Sequence, residues 1–296
     1  MGMHSPPFPQ VTFWGVRGTL PVTGRGSLRY GGNTSCISVE FADGGLFIFD
    51  AGSGIKSFSD ALKRAGRKHI KARIFISHPH IDHIQALPFF TPLFVQGNVF
   101  DVLGPAQQDK GMRELIAGQM DGVYFPVTLN EFAASVTYTN LEQGDYEFDG
   151  VRMRTLRLNH PGHCLGYRLE CGGAVFCYVT DNELYPPDSP DYDEAYRQRL
   201  ADFVRGADYL VTDTTYMDDE YADGKQHWGH SSVSEVVALA HRADIKTLCI
   251  FHHDPDQDDD AIDRKLAFAR AQMAQLGSST RVIAPAAGDQ LDLSPT

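Results

Sequence analysis

The stretch His78-Pro79-His80-Ile81-Asp82-His83 places three imidazoles and a carboxylate within six positions. It follows the apolar run ARIFIS at 72–77. Neutral imidazole and carboxylate are preferred donors for a borderline divalent ion such as zinc. Alternate residues of an extended strand share a face, so His78 and His80 are expected to point the same way, into one coordination sphere. Asp82 and His83 fall in the turn beyond, where they can serve a second ion. A lone histidine would read as a solvated side chain, but four donor groups at the end of a buried strand do not. Two ions need more donors than four, and the chain offers them after other apolar runs. His160 and His163 follow VRMRTLRL (151–158), Asp181 follows AVFCYVT (174–180), and His252 and His253 follow TLCIF (247–251). Strand ends are where α/β sheets place ligands, because the strand fixes the position and the loop leaves it open.

The elements that must hold these donors are legible as short runs rich in Val, Ile, Phe and Tyr, bounded by Gly, Asp or Asn. Further strands are expected at 11–16, 35–41, 45–52, 98–104, 135–141, 166–171 and 209–213. Helical periodicity predicts helices over 55–66, 109–120, 192–207, 231–243 and 258–277. Gly66 is placed to terminate the first, Ser231 or Ser232 to cap the fourth, and the acidic opening of the last suits a helix N-terminus. Hairpins are expected early and βα alternation later, in two sheets covered by helices, as a single domain over 1–296. No internal repeat or long linker is visible.

Composition excludes several classes. With 296 residues, 42% hydrophobic and 22% charged, the chain can bury a large core. No run of 18 apolar residues occurs, so no membrane span is expected. The opening MGMHSPPFPQ has no basic stretch followed by an apolar core, so no secretory leader is expected, and Pro6 breaks a myristoylation signal. The five cysteines are scattered and odd in number, which fits reduced thiols in the cytoplasm. A net charge of −12 argues against a large nucleic-acid partner, though not against a small phosphate ester met by bound cations. The acidic run at 254–263 lacks the spaced glycine and terminal glutamate of a calcium loop.

His78, His80, Asp82 and His83 together spell the H-x-H-x-D-H signature, and the chain resembles the metallo-β-lactamase superfamily. His160 with Gly166 and Tyr167, FDAGSG at 49–54 and YGGNTSC at 30–36 are similar to its phosphodiesterase branch. The resemblance implies an α/β fold, the four-layer αββα sandwich, and a hydrolase. It implies two divalent ions, zinc first, with manganese and iron compatible with the same donors. His78, His80 and His160 would hold one ion, Asp82, His83 and His252 the other, and Asp181 would bridge them. His252 is preferred to His253 because the branch spaces its last ligand three residues before a proline, here Pro255. His163 would line the site. Catalytic work falls to Asp82 and to His230 in HWGHSS (227–232), a contact to the scissile phosphate and a general acid; His227 is the alternative. Asp213 would orient a metal-ligating histidine or serve as a buried structural acid, and Tyr216 is a weaker candidate.

The implied reaction is attack of a metal-bridging hydroxide on a small phosphodiester, a cyclic nucleotide included. The segment 104–136 holds only Lys110 and Arg113 as basic residues, so a tRNA substrate is not expected. Tyr124, Phe125 and Trp228 could stack on a base or pack in the core and its rim. Alternatives are a thioester or lactone hydrolase on the same metals, or a catalytically idle sensor. No membrane partner is expected, and relatives commonly form homodimers.

Overall fold

The computed structural model describes residues 9–123 and 125–294. Tyr124 and the opening octapeptide lie outside the described residues. The strands are β1 (Gln10–Gly15), β2 (Cys36–Glu40), β3 (Leu46–Phe49), β4 (Lys71–Phe75), β5 (Val99–Gly104), β6 (Ser135–Asn140) and β7 (Gly144–Phe148). They continue as β8 (Val151–Arg157), β9 (Leu165–Cys171), β10 (Ala174–Val179), β11 (Tyr209–Asp213), β12 (Thr247–Phe251), β13 (Arg281–Ile283) and β14 (Gln290–Asp292). The helices are α1 (Gly54–Arg64), α2 (Ile81–Ile84), α3 (Met112–Gly118), α4 (Glu194–Val204), α5 (Asp218–Ala222), α6 (Val233–Arg242) and α7 (Asp259–Gln275). None is long and apolar enough to cross a membrane.

The chain divides into two compact units. The first takes its described residues from Met1–Pro21, Gly32–Glu142 and Ala287–Asp292, and the second from Val22–Gly31, Gln143–Ala286 and the residues after 292. The first unit holds a seven-stranded sheet of order β14-β1-β2-β3-β4-β5-β6. Its pairings are antiparallel from β14 to β3 and parallel from β3 to β6. Ile48, Ile74 and Val102 align across the parallel strands. They share an apolar cluster with Ile55, Phe58 and Leu62 of α1. Burying each such side chain is worth about 1.5–3 kcal/mol. Beyond α1, Gly66 adopts φ 62° and the Arg67 amide donates to Leu62 O at 3.1 Å, closing the helix as its sequence predicts.

The second unit repeats this plan with its own sheet, order β13-β12-β11-β10-β9-β8-β7. Three antiparallel pairings are again followed by three parallel ones. Parallel βα alternation therefore begins already at β3, earlier than the sequence suggested. The order of connections recurs although no repeat is visible in the residues. Cys177, Leu210, Leu248 and Val282 align on adjacent strands and belong to one apolar cluster with residues of α4, α6 and α7. Between α4 and α6 the buried Arg197 donates to Glu235, whose carboxyl burial pushes up against the pull of that same guanidinium.

None of the five cysteines forms a disulfide. Burial pushes the Cys177 thiol up to about 12 and those of Cys36 and Cys249 upward as well. A raised value keeps these thiols protonated, and so unreactive, at pH 8. Cys164 is buried and donates to Asp181 O at 3.6 Å. Cys171 alone is half-buried. Ellman's reagent at pH 8 is therefore expected to modify one thiol quickly in the native protein and the other four only in denaturant. Mass mapping to a second rapidly labelled cysteine would contradict this assignment of the buried set.

Candidate active site

In the first unit, β4 ends at Phe75, three residues before the first histidine. His78 and His80 thus lie in the segment beyond the strand, and the expectation that they share a strand face does not hold. What gathers them is an extended approach and one helical turn. His80, at φ −63° and ψ 152°, caps α2, which carries Asp82 and His83. The His78 ring centroid lies 4.4 Å from that of His80 and 4.3 Å from that of His83. His78, Asp82 and His83 are buried, and His80 is exposed. Asp82 Oδ2 sits 3.1 Å from His83 Nε2 and accepts the Thr19 amide at 2.8 Å.

Asp50 sets this group in place. It is fully buried and adopts φ 58°, an uncommon conformation for a residue with a side chain. Its carboxylate accepts the Ser77 amide at 2.7 Å, the Ser77 hydroxyl at 2.8 Å and His83 Nδ1 at 2.7 Å. The last bond puts the His83 proton on Nδ1 and turns the Nε2 lone pair toward Asp82. Asp50 lies in the FDAGSG motif, and nothing in the sequence marks it for this role. Gly52 of the same motif admits no side chain: a Cβ there would lie 2.2 Å from Asp82 O and 2.5 Å from Thr34 Oγ1.

In the second unit, Asp181, Asp213 and His252 stand at or just past the C-terminal ends of the adjacent parallel strands β10, β11 and β12. His160 follows β8. Asp181 Oδ1 lies 3.1 Å from His252 Nε2, and Oδ2 lies 3.7 Å from His160 Nε2. His160 Nδ1 donates to Gly229 O at 2.9 Å, which fixes the tautomer and leaves the lone pair on Nε2. Gly229, at φ 85°, permits this approach, since a Cβ would fall 2.3 Å from His160 Nδ1. His252 adopts φ 60°, and Thr215 Oγ1 lies 3.1 Å from its Nδ1.

His230 Nδ1 donates to Asp213 Oδ2 at 2.7 Å. Asp213 also accepts the Asn182 amide at 3.1 Å and the Thr215 hydroxyl at 2.7 Å. Burial pushes the Asp213 carboxyl up, but the charge and hydrogen bond of His230 outweigh it and hold the acid below its ordinary range. Asp213 is thus the acid that orients His230. One donor atom from each of Asp181, Asp213, His230 and His252 falls within 4.8 Å of the others. His163 is half-buried and outside that group. His253 is buried with its ring 6.1 Å from Tyr30. His227 is exposed and meets the Tyr185 hydroxyl at 3.1 Å, away from Asp213.

Two further residues, Glu183 and Lys265, hold these loops. The buried Glu183 accepts the His227 amide at 2.8 Å, the Gly229 amide at 2.8 Å and the Tyr221 hydroxyl at 2.7 Å, and so fixes the segment leading into His230. Lys265 of α7, fully buried, donates to Thr214 O at 2.7 Å and Thr215 O at 2.9 Å. Both look ordinary in sequence, because their partners lie tens of residues away.

The donor set fits divalent ions. In each unit an imidazole Nε2 and a carboxylate oxygen, two electron-rich atoms, face each other at 3.1 Å under burial. Such atoms repel unless positive charge joins them, and histidine with carboxylate is a ligand set for zinc, manganese or iron. Asp181 offers its two oxygens to two different imidazoles, at 3.1 Å and 3.7 Å.

The profile of the Beta-lactamase superfamily domain matches residues 47–253. Ribonuclease BN of Salmonella typhimurium (strain LT2) is 28% identical over 273 residues, covering 77% of this chain and 84% of that protein. The metallo-beta-lactamase fold protein YhfI from Bacillus subtilis superimposes with a TM-score of 0.69 at 15% identity, over 96% of this chain and 99% of YhfI. A diphosphatase from the PhnP family superimposes with a TM-score of 0.66 at 19% identity, over 97% of this chain and 98% of its own. At these identities the structural likeness is one of fold.

Proposed function

The chain belongs to the beta-lactamase superfamily and has the α/β metallo-β-lactamase fold, and from this we propose that it is a metal-dependent phosphodiesterase acting on a small phosphodiester. The observation that carries the reading is Asp181, whose two oxygens address His252 and His160 separately. The relative named a ribonuclease and the neighbour named a diphosphatase support it, since both names denote cleavage at phosphorus. The net charge of −12, and a segment 104–136 with only Lys110 and Arg113 basic, favour a small substrate over tRNA.

The seven ligands of the family pattern, His78, His80, Asp82, His83, His160, Asp181 and His252, would hold two divalent ions, zinc first. When bound, such ions polarise the phosphoryl group, offset its growing negative charge and activate water. The chain's own residues do the rest. Asp213 engages His230 Nδ1, so a proton on this imidazole passes through Nε2, to a phosphate oxygen or to the leaving oxygen. Glu183 holds the 227–229 backbone and so keeps His230 from drifting. Thr19 and Asp50 do the same for Asp82 and His83. Five cysteines without a disulfide fit a cytoplasmic setting.

Chelation should abolish hydrolysis of bis-p-nitrophenyl phosphate, and zinc should restore it. A panel of 2′,3′-cyclic nucleotide, precursor tRNA, a thioester and a lactone then sets the substrate class. Faster turnover of the thioester or lactone, or no phosphodiester turnover by metal-loaded protein, would overturn the proposal.

A further inference from the structure

The loop that delivers His230 also presents an aromatic ring to solvent. Trp228 is 56% exposed, although tryptophan is the side chain with most apolar surface to hide. It is not loosely tethered. The residues on either side, His227 at φ 67° and Gly229 at φ 85°, both give their amides to the buried Glu183 carboxylate. Trp228 is therefore fixed at the backbone while more than half of its surface stays exposed. The Lys225 ammonium lies 4.3 Å from the Trp228 ring centroid and 5.7 Å from that of Tyr216. Tyr216 is buried, with its ring 6.1 Å from His230. A continuous path of ring, cation, ring and imidazole thus runs from the exposed indole to the residue assigned to the phosphate.

Each part of this path suits a nucleotide. A base stacks on tryptophan by its π-face, whatever its sequence identity. The Lys225 ammonium, over one face of the ring, leaves the opposite face for a base and offers charge to a phosphate. Backbone fixed in advance lowers the ordering cost of binding.

We infer that Trp228 is the base-stacking platform of this protein and that its substrates are phosphodiesters bearing a nucleoside. The inference rests on the phosphodiesterase reading and narrows it to nucleotidyl esters. It is tested with zinc-loaded protein on adenosine 5′-(p-nitrophenyl) phosphate and methyl p-nitrophenyl phosphate. In Trp228→Ala, the preference for the nucleoside ester, as a ratio of kcat/KM values, should fall about 10- to 100-fold, mostly through KM, because base stacking on an aromatic is worth that much. Trp228→Phe should retain part of the preference. An unchanged ratio in Trp228→Ala overturns the inference.

A second measurement does not need turnover. The chain has two tryptophans, and Trp14 packs on Phe58 with ring centroids 5.0 Å apart. In a Trp14→Phe background, AMP should quench the fluorescence of Trp228 in metal-free protein. If no phosphodiester is hydrolysed and AMP still quenches, the phosphodiesterase reading fails and the nucleotide site stands. If no phosphodiester is hydrolysed and AMP does not quench, the platform is overturned with it.

Discussion

Asp181→Asn is expected to reduce hydrolysis of bis-p-nitrophenyl phosphate by at least about 10³-fold, because ions of this kind supply several kcal/mol of transition-state stabilisation and each 1.4 kcal/mol is a factor of ten. The change is nearly isosteric, so the fold should survive it. What it removes is one of two negative oxygens that lie 3.1 Å and 3.7 Å from separate imidazole nitrogens. The amide NH₂ is a donor and cannot ligate a cation. Whichever way the amide turns, one of His160 and His252 then faces hydrogens. Metal content by elemental analysis should fall together with activity, while the thermal transition of the chelated protein stays near that of chelated wild type. Wild-type metal content and turnover in this variant would remove Asp181 from the centre of the scheme.

His230→Ala is expected to lower kcat by about 10²–10⁴-fold, the usual worth of a positioned acid or base, with metal content unchanged. The structure makes this a sharp test, because His230 lies close enough to Asp181 and His252 to be a ligand in its own right. Loss of metal in His230→Ala would show that it binds an ion and would sink its role as the proton-bearing contact to phosphate. Asp213→Asn separates the two further. An amide oxygen can still accept from Nδ1, but the charge that favours the imidazolium is gone. Turnover should fall and metal stay bound.

Much of this was legible in the residues. Strands β10 and β12 are runs of mostly buried apolar side chains, β4 and β8 interleave buried apolar residues with Lys and Arg, and the donors follow each strand, so position along the chain was enough to propose them. The long helices α1, α4, α6 and α7 carried periodicity that survives into the structure; Ser232 takes the N-cap position of α6 but makes no side-chain capping bond, whereas Asp258 accepts the Ala261 amide at 2.8 Å at the start of α7. Strands β13 and β14, at three residues each, are too short for any period to show. β7 alternates acidic and aromatic residues with no apolar run to announce it. The supporting carboxylates were invisible for another reason. Asp50 and Glu183 act through hydrogen bonds to residues 27 to 46 positions away, and their use depends on burial that only the folded chain creates. The positive φ at Asp50 and His252 has no sequence signature in residues other than glycine.

The pairing of β1 with β14 has a consequence for how this chain is made. Gln10 aligns with Asp292, Phe13 exchanges hydrogen bonds with the 288–289 backbone, and the sheet of the first unit is not closed on that side until these residues arrive. On the ribosome, β1 emerges well before β14, and until β14 arrives one row of its amides and carbonyls stays bare. An open row of that kind recruits any extended peptide nearby. Vectorial synthesis therefore favours early pairing within β1, β2 and β3, and leaves the other side of β1 to be sealed only when β14 follows.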